Sequence, residues 1–117
     1  MPGKVIVFEP DLMFSSRVES AVAKCGFDAS VTTNMEELET ALRSFLPVAL
    51  FANLDAVPNL ESSSFRSIQR ECRMFGYYSH VNSHVALEAL AAGFDEVMPR
   101  RTFMLKLSEL LAGLTLR

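Results

Sequence analysis

Four polar side chains that could carry out chemistry follow two predicted strands of this chain. Glu9 and Asp11 come after the first apolar run, and Asn53 and Asp55 come after the apolar run 48–52. That run is typical of a buried central strand of a parallel sheet, and open α/β folds place their sites at the carboxyl ends of such strands. Asn53 decides the chemistry, because a carboxamide cannot attack a phosphoryl group in the way that a carboxylate can.

The acids of this set raise the question of a metal ion. Glu9, Asp11 and Asp55 could form a loose cluster of oxygen ligands, which are the ligands that Mg²⁺ prefers. The amide of Asn53 supplies one negative charge fewer than a carboxylate would. We therefore expect the acids to be solvated or paired with Arg100 and expect no cofactor, with weak Mg²⁺ binding by these acids as the alternative.

Asp55 is the alternative candidate for a nucleophile. It lies two residues beyond Asn53, so its side chain begins about 6 Å further along an extended chain. A displacement of that size moves a nucleophile away from the position that directly follows the strand, which argues against Asp55. Arg100 itself could hydrogen-bond Asn53 or Asp55 and hold the surrounding loops in one state, or it could be a solvated surface residue.

Length and composition are typical of a globular domain. The 117 residues suffice for one domain with a substantial core. The net charge of −3 gives no basis for binding nucleic acid or an anionic membrane directly, and no apolar run reaches the ~18 residues of a membrane span. Cys25 and Cys72 lie on the apolar sides of predicted helices, so we expect both to be small buried hydrophobes in a reducing, cytoplasmic protein.

Hydrophobic periodicity predicts five strands that alternate with five helices. The predicted strands cover residues 4–8, 27–32, 48–52, 75–79 and 94–98. The predicted helices cover residues 12–25, 35–45, 65–72, 84–92 and 103–112. Asp11, Asn34 and Thr102 are predicted N-caps, and Gly26 and Gly93 are predicted helix ends. Such alternation predicts a three-layer α/β sandwich with a parallel sheet.

Four segments carry a resemblance to a known family, and they are Lys4–Asp11, Pro47–Pro58, Tyr77–Ser79 and Ala89–Arg100. They are similar to the first strand with its acidic end, the strand bearing the phospho-acceptor, the fourth strand with its hydroxyl residue, and the fifth strand with its basic residue. The chain thereby resembles the receiver domain of two-component response regulators over nearly all of residues 1–117. The resemblance implies one non-enzymatic domain with a flavodoxin-like (β/α)5 fold and strand order 2-1-3-4-5.

The same resemblance identifies positions at which this chain departs from the family. The phospho-acceptor aspartate is replaced by Asn53, and the second acid of the metal-binding pair is replaced by Pro10. The family's lysine falls on Arg100, its hydroxyl residue on Ser79, and its aromatic switch residue on Val97. The resemblance therefore implies a degenerate receiver that is not phosphorylated.

The fourth predicted helix suggests an interaction surface. Residues 84–92 are apolar nearly all round, with Val85, Leu87 and Leu90 among them, which exceeds what a helix on one face of a sheet requires. Receivers commonly dock through helix four, strand five and helix five, so we expect a protein partner or a second copy to bind there. For Arg66, Arg70 and Arg73 on the third helix we expect a solvated face, and a basic stripe that meets an acidic partner is the alternative.

These inferences favour a phosphorylation-independent protein-interaction module in signal transduction. One alternative is a phospho-accepting receiver that uses Asp55. Another is a small-molecule-binding flavodoxin-like domain, although the first loop, 9–12, lacks the Gly, Ser and Thr residues that cradle phosphates.

Overall fold

Five parallel strands form the central sheet in a computed structural model that describes residues 3–79 and 83–115. The order is β2-β1-β3-β4-β5. The strands are β1 (Lys4–Phe8), β2 (Asp28–Thr32), β3 (Ala49–Asn53), β4 (Arg73–Tyr78) and β5 (Glu96–Pro99). The predicted flavodoxin-like topology with order 2-1-3-4-5 is confirmed.

Helices cover both faces of the sheet and complete the three-layer sandwich. They are α1 (Leu12–Lys24), α2 (Met35–Ser44), α3 (Phe65–Ile68), α4 (Ser83–Ala91) and α5 (Arg100–Thr115). None of the helices in the described ranges is long and apolar enough to cross a membrane.

Alternation along the strands divides the buried residues into two cores. Val7 and Phe51 pack with α1 and α5, whereas Ile6, Phe8 and Leu50 pack on the opposite face with α2 and α4. Because successive residues of a strand face opposite sides of the sheet, this division follows directly from strands that are apolar at every position.

Most of the predicted helix boundaries are confirmed. The carboxylate of Asp11 accepts hydrogen bonds from the first turn of α1, and Asn34 caps α2 with Glu37 reaching back to the segment before it. Gly26 and Gly93 both have positive φ, at 88° and 104°, which glycine adopts without the steric cost of a Cβ.

The third helix is much shorter than predicted. It ends at Ile68, so Cys72 lies beyond it, buried, and Arg73 is already in β4. The guanidinium of Arg66 accounts for the difference, because it donates hydrogen bonds to carbonyl groups of segment 69–72 that a longer helix would have used internally. The expected placement of Arg66, Arg70 and Arg73 on one helix is therefore wrong, and the alternative of a basic stripe on that helix is excluded with it.

Two further sequence predictions are corrected near helix ends. Thr102 does not cap the last helix, because Pro99 ends β5 and the helix begins at Arg100 directly after it. Cys25 is exposed and not buried, since α1 ends at Lys24 and the apolar stripe stops one turn earlier.

Candidate functional site

A buried carboxylate lies at the centre of the candidate site. Glu9 follows β1, and only 1% of its surface is exposed. Its Oε1 accepts a 2.7 Å hydrogen bond from the Tyr77 hydroxyl, and the Asn53 Nδ2 lies 3.1 Å from both Oε1 and Oε2. The backbone N–H of Asp11 donates to Oε2 at 3.0 Å. The charge of Glu9 is thus taken out of water but kept in contact with three donors, as a buried charge requires.

Sheet register brings these side chains together. Asn53 is paired with Tyr77, and Ala52 is paired with Phe8, so Glu9 comes level with both on neighbouring strands. In the alternation along their strands, Glu9, Asn53 and Tyr77 lie on the side of the sheet that faces α1 and α5. A buried tyrosine at this level of β4 is therefore within reach of Glu9.

The ring of Tyr77 is held by aromatic neighbours. It stacks on Phe103 with centroids 4.6 Å apart and meets Phe14 at 5.4 Å. Burial, reinforced by the hydrogen bond to Glu9, raises the pKa of Tyr77 far above its ordinary value. Tyr77 consequently remains a neutral donor throughout the physiological pH range.

A second set of hydrogen bonds connects Asn53 to the end of β4. The Oδ1 of Asn53 accepts from the Asp55 backbone N–H at 2.9 Å, and Asp55 Oδ2 accepts from the Ser79 N–H at 2.7 Å. We call the whole series from Glu9 through Asn53 and Asp55 to Ser79 the strand-end chain. It joins the carboxyl ends of β1, β3 and β4.

The residues present do not fit the divalent cation that the fold family implies. Glu9 directs its oxygens at the amide of Asn53 and the hydroxyl of Tyr77, both of which are donors and would repel a cation. Asp11 caps α1 through Oδ1, and Asp55 is engaged by Ser79. Asp11 and Asp55 are exposed, as expected of solvated acids, whereas Glu9 is buried, and within the described ranges none of the three forms an ion pair with Arg100. Over residues 3–79 and 83–115, no three His, Cys, Asp or Glu side chains are grouped to hold a metal.

Arg100 takes a position that sequence reasoning did not anticipate. Its guanidinium carbon lies 3.9 Å from the centroid of the Phe14 ring, in a cation–π contact. It borders the same depression as Asn53, Asp55 and Ser79, but among the described residues it makes no ion pair or hydrogen bond with them. The hydrogen bonds that connect these loops are those of the strand-end chain, and Arg100 takes no part in them.

The predicted interaction face is placed partly as expected. Leu87 and Leu90 of α4 are 66% and 49% exposed, whereas Val85 is half-buried and packs against the core beneath the helix. Val97, at the position of the family's aromatic switch, is also half-buried against that core. The free apolar surface of α4 is therefore carried by its two leucines.

Tyr77 is the functional residue that sequence reasoning missed. Alternation in β4 predicts that one of Tyr77 and Tyr78 is buried, and Tyr77 is the buried one. Two features could have indicated it: a buried phenol needs a hydrogen-bond partner, and Tyr77 lies at the same end of the sheet as Glu9. Without the register, the identity of that partner could not be assigned.

Comparison with solved structures gives close matches to response regulators. A two-component response regulator from Clostridium difficile has a TM-score of 0.84 at 14% identity, covering 98% of this chain and 97% of its own. The BeF3-activated DrrB receiver domain has a TM-score of 0.83 at 11% identity, covering 100% of each chain. HP1043, an orphan response regulator of H. pylori, has a TM-score of 0.82 at 16% identity, covering 97% and 98%.

Sequence comparison adds nothing to this result, since no protein-family model and no curated protein matches the chain. At identities of 11–16%, structural likeness shows the fold alone. The chain has the fold of response-regulator receiver domains, and at the strand ends of that fold it carries a hydrogen-bonded Glu9–Asn53–Tyr77 group.

Proposed function

We propose that this chain is a degenerate receiver domain that acts in signal transduction by binding proteins, without being phosphorylated and without turnover. The observation that carries the proposal is the position of the Asn53 amide. Its nitrogen lies 3.1 Å from both oxygens of Glu9. Phosphoryl transfer at this position would need a carboxylate nucleophile and a cation beside Glu9, and the amide donor stands in their place.

The alternative acceptor, Asp55, is occupied by a structural bond. Its Oδ2 accepts the 2.7 Å hydrogen bond from the Ser79 backbone, which holds the exposed carboxylate against the end of β4. Attack through Oδ2 would break that bond, and attack through Oδ1 would have to proceed from the orientation that the bond fixes. This restraint argues against Asp55 as a substitute nucleophile.

The strand-end chain supports a domain with one resting arrangement of its loops. It connects three strand ends through side chains that are already charged or polar, so the arrangement requires no covalent modification. A binding surface whose shape depends on those strand ends would then be exposed at all times, and not only after phosphorylation. We infer that signalling by this domain depends on which partners are present.

The docking surface that we propose lies on α4. Leu87 and Leu90 are three residues apart and therefore project from the same side of the helix. An exposed pair of leucines on one side of a helix forms an apolar surface of the kind that marks interaction sites. A protein partner or a second copy of the chain would cover it.

Charge substitution on α4 tests this function. Leu87→Asp should abolish self-association in sedimentation velocity and capture of binding proteins in a pull-down, because it places a charge in the centre of the apolar surface. Leu12→Asp is the matched control, since Leu12 is 69% exposed on α1. Association that survives Leu87→Asp, or its complete absence for the wild-type chain, would contradict the proposal.

A further inference from the structure

We infer that a groove between α1 and α5 binds an acidic, partly apolar segment of a partner protein. The groove measures about 520 Å³. Three arginines line it together with apolar side chains, and we call it the arginine groove: Phe14, Arg17, Arg100, Arg101, Met104 and Leu105. It contains no residue of α4, so it is separate from the surface proposed above.

The lining of the groove carries positive charge only, although Arg100 also borders the neighbouring depression that holds Glu9, Asp11 and Asp55. None of its lining residues is acidic, although the chain as a whole has a net charge of −3. Across residues 3–79 and 83–115, Arg17, Arg100 and Arg101 form no ion pair, whereas Arg66 and Arg73 are both paired with Asp95. A cluster of three unpaired cations on an acidic protein produces a local positive potential that attracts negatively charged partners.

The cations are suited to carboxylates in particular. All three are arginines, whose planar guanidinium groups can hold a carboxylate with two parallel hydrogen bonds. Arg100 is already oriented by its contact with Phe14, at 3.9 Å from the ring centroid. A side chain held in this way loses less conformational freedom when a carboxylate binds.

Apolar side chains make the second half of the recognition surface. Leu105 is 79% exposed at the groove, and Met104 is half-buried beside it. Met13 is 81% exposed and lies four residues before Arg17, hence on the same side of α1. Because exposed ion pairs contribute only about 0–1 kcal/mol each, an occupant must also cover these apolar groups.

The same features argue against a nucleic-acid strand as the occupant. Single strands bind to exposed aromatic rings on which bases stack. Two aromatic residues line the arginine groove: Phe14 is buried and covered by Arg100, and Tyr78 is half-buried and packs against the core on the opposite face of the sheet. A peptide segment with carboxylates on either side of an aliphatic or aromatic residue matches both the charge and the apolar lining.

A synthetic peptide tests the inference. The probe is a fluorescein-labelled nonapeptide of glutamate and aspartate around a central leucine and phenylalanine, titrated with the intact chain while fluorescence anisotropy is recorded. We expect saturable binding that weakens as ionic strength rises. The isosteric peptide with glutamine and asparagine in place of the acids should bind on the order of tenfold more weakly, since each decade corresponds to about 1.4 kcal/mol.

Variants of the chain locate the binding site. Arg17→Glu and Arg101→Glu should each weaken binding on the order of tenfold, and Leu105→Ser on the order of fivefold. Arg43→Glu is the matched control, because Arg43 is an exposed arginine on α2, and it should leave the affinity unchanged.

Four results would overturn the inference. The first is no saturable binding of the acidic peptide, and the second is equal binding of the amide peptide. The third is equal loss of affinity in the Arg17→Glu and Arg43→Glu proteins. Sedimentation velocity is run in parallel: dimers of the wild-type chain that Arg17→Glu dissociates would show that a second copy fills the groove, and this too would contradict a separate partner.

Discussion

The hydroxyl of Tyr77 donates a 2.7 Å hydrogen bond to Oε1 of Glu9, although the two residues are 68 positions apart in the sequence. Both side chains are buried, so the phenol takes the place that water would have at an exposed carboxylate. Asn53 donates to the same oxygen from the neighbouring strand. This arrangement gives the buried carboxylate of Glu9 hydrogen-bond donors from the ends of β3 and β4.

Removing the phenol hydroxyl should destabilise the domain. Tyr77→Phe deletes a hydrogen bond to a buried charge, and we expect the free energy of unfolding to fall by about 1.5–3 kcal/mol at pH 7 in urea denaturation. Tyr78→Phe is the control, since Tyr78 is only half-buried at the adjacent position of β4. Equal effects of the two substitutions would show that the bond to Glu9 contributes nothing specific.

Alkaline pH should destabilise the wild-type chain through Tyr77. Burial raises its pKa above the ordinary value of 10.0, so the folded state holds the proton more tightly than the unfolded state. The resulting stability is present below pH 10 and should fall by up to about 1.4 kcal/mol per pH unit above it. Burial also raises the pKa of Cys72 from 9.0 to about 12, which adds an alkaline loss of its own.

Unfolding curves recorded at about four pH values between 8 and 11.5 separate the contribution of Tyr77 from that of Cys72. Tyr77→Phe should show a shallower alkaline decline than Tyr78→Phe, and the remainder that both proteins share belongs to Cys72 and other groups. If the two declines are parallel, Tyr77 does not have a raised pKa in the folded state.

Restoring a carboxylate at position 53 should cost stability. Asn53→Asp replaces a donor 3.1 Å from Glu9 with a second acceptor, and we expect a loss of about 3 kcal/mol at pH 7. The loss should shrink as pH falls toward about 4, because a proton shared by the two carboxyl groups restores a hydrogen bond. Millimolar Mg²⁺ should raise the Tm of Asn53→Asp and leave that of the wild-type chain unchanged.

Asn53→Leu provides the control for loss of the amide alone, since it adds no charge next to Glu9. Thermal unfolding at pH 4 and pH 7 is the measurement. A pH-independent loss for Asn53→Asp, or a Mg²⁺-dependent rise in Tm for the wild-type chain, would contradict the assigned role of Asn53.

Arg66 should be essential for the short third helix. Its guanidinium donates to carbonyls of segment 69–72 and to the Gly93 carbonyl, and it pairs with Asp95 at 2.9 Å. Arg66→Met would leave these groups without donors and should cost about 2–4 kcal/mol in urea denaturation. Arg70→Met, at an exposed arginine nearby, should cost less than about 0.5 kcal/mol. Similar losses for both would show that the carbonyls find water instead.

The fold was predictable because its signals are local. Apolar strands, the caps Asp11 and Asn34, and the positive-φ glycines Gly26 and Gly93 all act within a few residues. The errors occur where side-chain contacts intervene that hydrophobic periodicity does not report. The third helix ends early beside Arg66, which binds carbonyls just beyond it as well as the distant Gly93 carbonyl and Asp95 carboxylate.

The site was predictable only in part, for the same physical reason. Asn53 and Ser79 were expected near one another because they follow adjacent strands. The displacement expected for Asp55 on an extended chain is wrong, because the 3-10 turn Leu54–Ala56 folds it back and its Oδ2 lies 2.7 Å from the Ser79 backbone nitrogen. The burial of Glu9 and its bond to Tyr77 depend on the register between β1, β3 and β4, which hydrophobic patterns do not specify.

Exposure of the wild-type chain to acetyl phosphate and Mg²⁺, followed by intact-mass spectrometry, tests the central claim most directly. An active receiver domain treated in parallel shows that the reagent works. Because Asn53 presents an amide to Glu9 and Asp55 is bound to Ser79, we predict that the chain gains no phosphoryl group. A stoichiometric gain of one phosphoryl group that is lost in Asp55→Asn would contradict the account.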